Sequence, residues 1–524
     1  MTRRTRALIA ALAALAALAV LPAVAPAAVG AQEGRIPSTE RAVEATRSYI
    51  AASGDSVMRE LFALLAVPNV AADSANIGRN ADLLMEMLRR RGATARLLEG
   101  AGPPAVYGEL ITPGATRTVV FYAHYDGQPV VPSDWATGPW EPTLRSGVLG
   151  AGAPVVRIPS GRTPDDWRIY ARSASDDKSP IVAMLAALDA LRAAGIDPAV
   201  NLRFFFEGEE EAGSPHLRQT FEQYRELLTG DLWIAADGPV HTTGLPQVIF
   251  GARGVVGLEL TTYGPARPLH SGHYGNWAPN PAALIAELLA SMRSADGEVR
   301  IAGFYDDVRA PTPAELAAAD SLVRFEDDLR RTLLLARTEA ENVPLFRRLM
   351  LPALNIRGIR AGGVGASASN AIFPEAHASI DIRLVPGQRV ERVQAAVEAH
   401  ISSQGFTILR DEPDSTARRG SVRPLWLRWD SGYPAMRTDM SHPLSQRVIA
   451  LVKEATGRET LVLPSYGGSL PLYLVEDVLG APLVIVPMVN ADNNQHAANE
   501  NLRVGNLWMG MELYASLMAG LGRD

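Results

Sequence analysis

The chain has 524 residues, 47% of them hydrophobic and 20% charged, with a formal net charge of −7 and no cysteine. Such a length accommodates roughly two to four domains whose cores are large enough to stand without staples. The absence of cysteine excludes disulfides, thiolate metal sites and cysteine nucleophiles, so any metal must sit on His, Asp, Glu or water; the acidic balance argues against a nucleic-acid partner.

The chain opens on a targeting pattern. MTRRTR supplies positive charge, an Ala/Leu/Val run over 7–29 is broken by Pro22 and Pro26, and VGA at 29–31 offers small residues before Gln32. This reads as a signal peptide over 1–31 and a secreted or periplasmic protein; the rival reading is an uncleaved membrane anchor, since the run is long enough to span. Loss of Arg3, Arg4 and Arg6 with the leader takes the charge from −7 to −10. No second long apolar run follows, so no stable membrane insertion is expected after processing.

Further along, TRTVVFYAHYD predicts a buried strand over 118–123. SPIVAMLAALDALRAAG predicts a helix with Ser179 as N-cap, Pro180 in the first turn and Gly195 as the stop. NLRFFFEG, LWIAAD and the late APLVIVPMVN read as further strands. Strands separated by helices imply a three-layer α/β domain with a largely parallel sheet. The texture changes near Val256: VVGLELTTYG, a helix over 281–293, AHASIDIRLV and a helix over 390–401 suggest a smaller α+β unit. Residues 306–349 are charged and helix-prone, and 410–424 read as a polar linker. The expected organisation is a catalytic domain over 32–255 and 426–524, interrupted by an inserted domain over 256–425.

The stretch FEGEEEAGS crowds Glu207, Glu209, Glu210 and Glu211 after an apolar strand, and no lysine lies near. Crowded carboxylates raise each other's pKa unless a cation sits among them. Other candidate donors fall at comparable places. His124 and Asp126 close one predicted strand, Asp176 and Asp177 follow RIYARSAS, Asp237 closes LWIAAD, and His496 follows the last strand. In open α/β sheets that edge is where sites assemble. Each alone reads as a solvated turn, a helix cap or an ordinary histidine; their recurrence at one end of successive strands points instead to a cation held among carboxylates and imidazoles.

AHYDGQP, YARSASDDKSP, FEGEEEAGS, AADG, GARGVVGLEL, GPARPLHSGHYG, IRLVPGQ, YGGSLP and NNQHAANE, in this order, resemble the dinuclear-zinc metallopeptidases that include carnosinase-type dipeptidases, glutamate carboxypeptidases, aminoacylases and acetylornithine deacetylases. HYDGQP and IAGFYDDV lean toward the dipeptidases. The resemblance implies a zinc-peptidase catalytic domain with an inserted ferredoxin-like lid and dimerisation domain. It implies two Zn²⁺, with Mn²⁺ or Co²⁺ as possible occupants, bridged by Asp176, one completed by His124 and Asp237 and the other by Glu211 and His496. It also implies a cis peptide between Asp176 and Asp177. Asp126 would orient the His124 ring, Glu210 would be the general base, and Glu209, where the family more often has an apolar residue, would face solvent. The small-residue turn AGS sets the register of Glu210 and Glu211. His270 would reach into a partner's active site in a homodimer and stabilise the oxyanion; Arg383 would grip the substrate carboxylate, with Gly468 and Ser469 lining its pocket. The loop ASASNAIFPEA departs from the family pattern, leaving Asn370 out of register, and the other histidines, His216 and His273 among them, read as structural or surface.

The expected function is hydrolysis of a short peptide with a free carboxylate. An N-acyl amino acid deacylase using the same machinery is the close alternative, and a catalytically silent binding protein is the alternative of another class.

Overall fold

The computed structural model describes residues 38–522. The expected leader over 1–31 lies outside the described residues. Among the described residues no helix is long and apolar enough to cross a membrane.

An eight-stranded sheet forms the centre, in the order Thr94–Leu98, Ala105–Leu110, Asn201–Glu207, Thr118–His124, Leu232–Ala235, Leu483–Ile485, Gln247–Ile249, Leu461–Leu463. The four middle strands run parallel, whereas the first two strands and the contact between Ile485 and Ile249 are antiparallel. The sheet is therefore mixed at its flanks rather than largely parallel throughout. Its middle strands are buried on both faces, which explains their continuous apolar runs. Strand alternation divides Phe204–Phe206 in two: Phe204 and Phe206 pack with Phe121 under the helices Ser38–Leu65, Lys178–Ala193 and Val504–Gly520, while Phe205 packs with Tyr122, Trp233 and Phe221 in the opposite layer. This gives the three layers that the alternation of strands and helices implies.

The helix over Lys178–Ala193 is buried almost all round. Its N-cap is Asp177, not Ser179. The Asp177 carboxylate caps none of the helix's own amides; it faces the His124 backbone N–H at 3.3 Å.

A five-stranded sheet lies in the order Ala353–Arg360, Glu375–Leu384, Gly254–Tyr263, Pro424–Trp429, Thr407–Leu409. The first four are antiparallel neighbours, with helices Pro281–Met292 and Val390–Ser403 following the first and third of them in chain order. That is the ferredoxin-like arrangement. Its core joins Val256, Leu258 and Ile380 of the sheet to Ile285, Leu289 and Val397 of the helices. The stretch over 410–424 is not an interdomain linker, because the strands on either side of it, Thr407–Leu409 and Pro424–Trp429, pair in parallel within this sheet. The expected junction at 425/426 falls inside Pro424–Trp429, whose pairing with Gly254–Tyr263 continues to Trp429. Residues 306–349 carry the short helices Pro313–Ser321, Glu326–Thr332 and Leu345–Leu349.

Candidate active site

Three of the expected donors follow central strands directly. His124 ends Thr118–His124, the glutamate cluster follows Asn201–Glu207, and Asp237 lies two residues beyond Leu232–Ala235. The parallel register sets His124 beside Glu207. Asp176 arrives differently. It follows Arg168–Tyr170, which belongs to a separate three-stranded sheet with Asn501–Arg503 and Thr143–Arg145. It then stands just ahead of the buried helix, across an Asp176–Asp177 bond that is cis, as the resemblance implies.

Asp176 is the meeting point. Its Oδ1 lies 2.9 Å from His124 Nε2 and its Oδ2 lies 3.1 Å from His496 Nε2. His496 Nε2 is also 3.3 Å from Glu211 Oε2. Two groups of three donors result, His124 with Asp176 and Asp237, and Asp176 with Glu211 and His496; within each, the donor atoms lie within 4.8 Å of one another. The donors are imidazole nitrogens and carboxylate oxygens, the set that zinc accepts when no thiolate is present. Donors about 2.0–2.2 Å from a tetrahedral ion stand about 3.3–3.6 Å apart. The separations around Asp176 and His496, 2.9, 3.1 and 3.3 Å, lie near or just inside that, and Asp237 stands within 4.8 Å of its two partners, so the donors of each group fit one ion.

Asp126 is fully buried and ties the two halves together. Its Oδ1 faces His124 Nδ1 at 3.4 Å, and its two oxygens accept the backbone N–H groups of Glu210 at 3.1 Å and Glu211 at 3.0 Å. One carboxylate thus orients an imidazole and sets the turn that carries the next two glutamates. Glu210 Oε2 ends 4.0 Å from His124 Nε2. Gln128 donates to Glu211 Oε2 at 2.7 Å and Gln495 to Asp176 Oδ2 at 3.0 Å. Neither glutamine stood out in the sequence, where a neutral amide beside a charged motif carries no signal.

The electrostatics are those of acids crowded without enough positive charge. Burial, then Asp176, raises Asp237 to about 6, and the same two causes raise Glu211 to about 7. Glu210 is pushed well above the usual carboxylate range by burial and then by Asp237, Glu211 and Asp176. Burial weighs most heavily on His124 and opposes its charge, yet the bonds to Asp126 and Asp176 carry its pKa well above the ordinary imidazole value. Asp176 is also opposed by burial, but His124 and His496 hold it below the ordinary aspartate value. A cation in this cluster would stabilise every one of the carboxylates as its anion.

Glu209 does not face solvent. It is 6% exposed, and its carboxylate accepts the His216 backbone N–H at 2.9 Å and meets His216 Nδ1 at 2.9 Å. The chain after the small-residue turn folds back over it, so His216 is its structural partner.

A cavity of 260 Å³ opens at the cluster, lined by Asp176, Glu210, Asp237 and His496 together with Gly468 and Ser469. Ile249 and Ile485, at the ends of central strands, add an apolar wall. A Cβ at position 468 would stand 2.6 Å from the Tyr466 ring, so a larger residue there would have to displace that ring. Ser469 Oγ accepts from Arg383 Nη1 at 2.8 Å, and Arg383 Nε donates to Asp381 at 2.6 Å. Arg383 therefore reaches from the ferredoxin-like sheet to the rim of the cavity. A larger cleft of 620 Å³, lined by His241, Arg458, Asp492 and Trp508 among others, includes none of these residues.

His270 is not part of this convergence. It lies exposed on the two-residue strand Leu269–His270, accepts the Gly272 N–H at 3.1 Å and packs against the His273 ring at 4.5 Å. Asn370, displaced from the family pattern, accepts the Ser271 N–H at 2.9 Å through its backbone carbonyl.

Residues 120–520 match the model of peptidase family M20/M25/M40. The chain belongs to that family. It is a metallopeptidase, similar to the Cys-Gly metallodipeptidase of Schizosaccharomyces pombe at 26% identity over 484 residues, 88% of this chain and 94% of that one. The Beta-Ala-His dipeptidase of Homo sapiens is 26% identical over 507 residues, covering 90% of this chain and 89% of that one. An M20 family metallo-carboxypeptidase from Sulfolobus solfataricus superposes with a TM-score of 0.72 at 26% identity, covering 89% of this chain and 99% of the other. Human carnosine dipeptidase 1 has the same fold, with a TM-score of 0.70 at 22% identity over 92% of this chain and 98% of the other.

Proposed function

We propose that this metallopeptidase hydrolyses short peptides bearing a free carboxylate, a dipeptidase or carboxypeptidase reaction run on two divalent ions. What supports this most directly is the sharing of Asp176 by two complete donor sets, with His124 and Asp237 on one side and Glu211 and His496 on the other. Zn²⁺ suits these donors, and Mn²⁺ or Co²⁺ would fit the same atoms. Bound there, the ions would acidify a water and polarise the scissile carbonyl.

The chain's own residues do the rest. Glu210 takes the proton of the attacking water and returns it to the leaving amine. Asp126 keeps the His124 ring and the Glu210–Glu211 turn in place, so the base needs no reorganisation when substrate arrives. Arg383, steadied by Asp381 and Ser469, offers its guanidinium fork to the substrate carboxylate. A 260 Å³ cavity suits a short peptide and not a folded chain.

His270 supports a homodimer. An imidazole exposed on the inserted domain would gain a role when a second copy presents its cavity, where it would stabilise the oxyanion. The edge strand Ala353–Arg360, exposed along its outer half, is a surface able to meet that copy. The leader pattern supports a secreted or periplasmic location.

The test is to incubate zinc-loaded protein with dipeptides and with N-acetyl amino acids. Release of free amino acids from the dipeptides is expected. Cleavage of the N-acetyl compounds alone would turn the assignment to a deacylase, and cleavage of neither to a silent binding protein.

A further inference from the structure

We infer that Glu500 is a positioning residue that locks the Asp176 turn to the His496 segment and so sets the spacing of the second donor group. The inference rests on the reading of Asp176 and His496 as metal ligands. Glu500 is fully buried. Its Oε1 accepts the backbone N–H of Ser175 at 2.8 Å and of Asp176 at 2.9 Å, and its Oε2 accepts the N–H of Ser173 at 3.0 Å and Arg172 Nη1 at 2.7 Å. A buried ion pair needs only the arginine. Here the carboxylate also gathers three amides of the turn that ends at the shared donor, in a stretch where Ser173 holds a φ of 60°.

Glu500 stands four residues after His496. Its neighbours extend the fastening: Ser175 Oγ donates to the Asn501 carbonyl at 2.8 Å, Arg168 Nη1 donates to Asn501 Oδ1 at 2.6 Å, and Asn501 pairs with Tyr170. The segment that ends at Asp176 and the segment that follows His496 are thus fastened over 168–176 and 500–503, and Gln495 adds a direct bond to Asp176 Oδ2 at 3.0 Å. Charge-assisted bonds of this kind are short and directional. A glutamine in its place would put an NH₂ against donors, either Arg172 and the Ser173 amide or the Ser175 and Asp176 amides.

The test uses full-length protein stripped of metal and titrated with zinc against a competing chelator. Wild-type protein should take up two ions. Glu500→Gln should still bind one while the other weakens about 10- to 100-fold, the usual cost of losing a partner behind a ligand, and kcat should fall with KM little changed. Because the lone Arg172 charge could by itself unfold the single variant, Glu500→Gln with Arg172→Met is the second arm. It should recover melting temperature without recovering the second ion. Zinc affinity within twofold of wild type in either folded variant, or recovery of both stability and affinity in the double variant, overturns the inference and leaves an ordinary buried ion pair. Wild-type protein that takes up no ions overturns the metal reading itself, and this inference with it.

Discussion

The edge of the central sheet and the face of the inserted domain handle polar groups in opposite ways. At the sheet edge, Asp126, Asp176 and His124 are buried and each meets at least two others of the cluster. On the inserted domain, His270 is exposed; its backbone pairs with Ala371 and its ring meets its own turn and His273. Burying charge is costly, so a buried set persists only when its members satisfy one another or a cation. An exposed imidazole carries no such obligation, and its role depends on what comes to it. On the proposed reading, metal binding is thus complete within one chain, whereas oxyanion stabilisation requires two.

The sharpest way to break that contrast is at Glu210. Glu210→Gln should lower kcat by about 10²- to 10⁴-fold, the usual worth of a general base, while zinc stoichiometry stays at the wild-type value. Unchanged turnover would remove Glu210 from the chemistry. His270→Ala tests the other side. It should cost about 10²- to 10³-fold in kcat, and mixing it with Glu210→Gln subunits should restore part of the activity, because each mixed dimer then holds one intact site. Failure of mixed dimers, verified by differential tagging, to regain activity would confine His270 to its own chain.

Arg383 lies between the two regions. Arg383→Lys keeps the charge but loses the fork, and should raise KM about tenfold with kcat nearly constant; an equal loss in kcat would show that it acts in the transition state. The smallest expected effect is on stability. In metal-free protein, Asp237 at about 6 and Glu211 at about 7 stay protonated where the unfolded chain, at 3.8 and 4.5, has ionised. The native state then binds more protons, so stability falls as pH rises through that window. The raised His124 and His496 act in the same direction, and the lowered Asp176 contributes above its unfolded value and is lost only in acid. Melting temperature of the stripped protein should drop by several degrees from pH 5 to pH 8 and zinc should flatten the slope. Parallel slopes with and without zinc would place the ion elsewhere.

Much of the catalytic side was legible from residue type and order. The apolar runs ending in His124, Glu207 and Ala236 were enough to place candidate donors at one edge of the sheet, because strands buried on both faces must end where polar chain can begin; their assignment as ligands came from the resemblance that the motif order carries. The route taken by Asp176 was not legible: Arg168–Tyr170 reads like any short strand, and only hydrogen-bond pairing assigns it to a separate small sheet. Glu209 was misplaced because one more acid in an acidic run has no periodicity to report its direction, and its partner His216 lies across a turn.

By itself the sequence determined the classes of chemistry open to this protein, the strands and helices that build its layers, and the residues able to bind a cation, since all of these follow from local composition and spacing. Tertiary structure alone decided how closely the donors stand around Asp176, that Asp126 also holds the Glu210–Glu211 turn, and that Glu500 binds two distant segments together. Those facts depend on contacts between residues from about fifty to more than three hundred positions apart, and no local pattern encodes a distance that only chain packing sets.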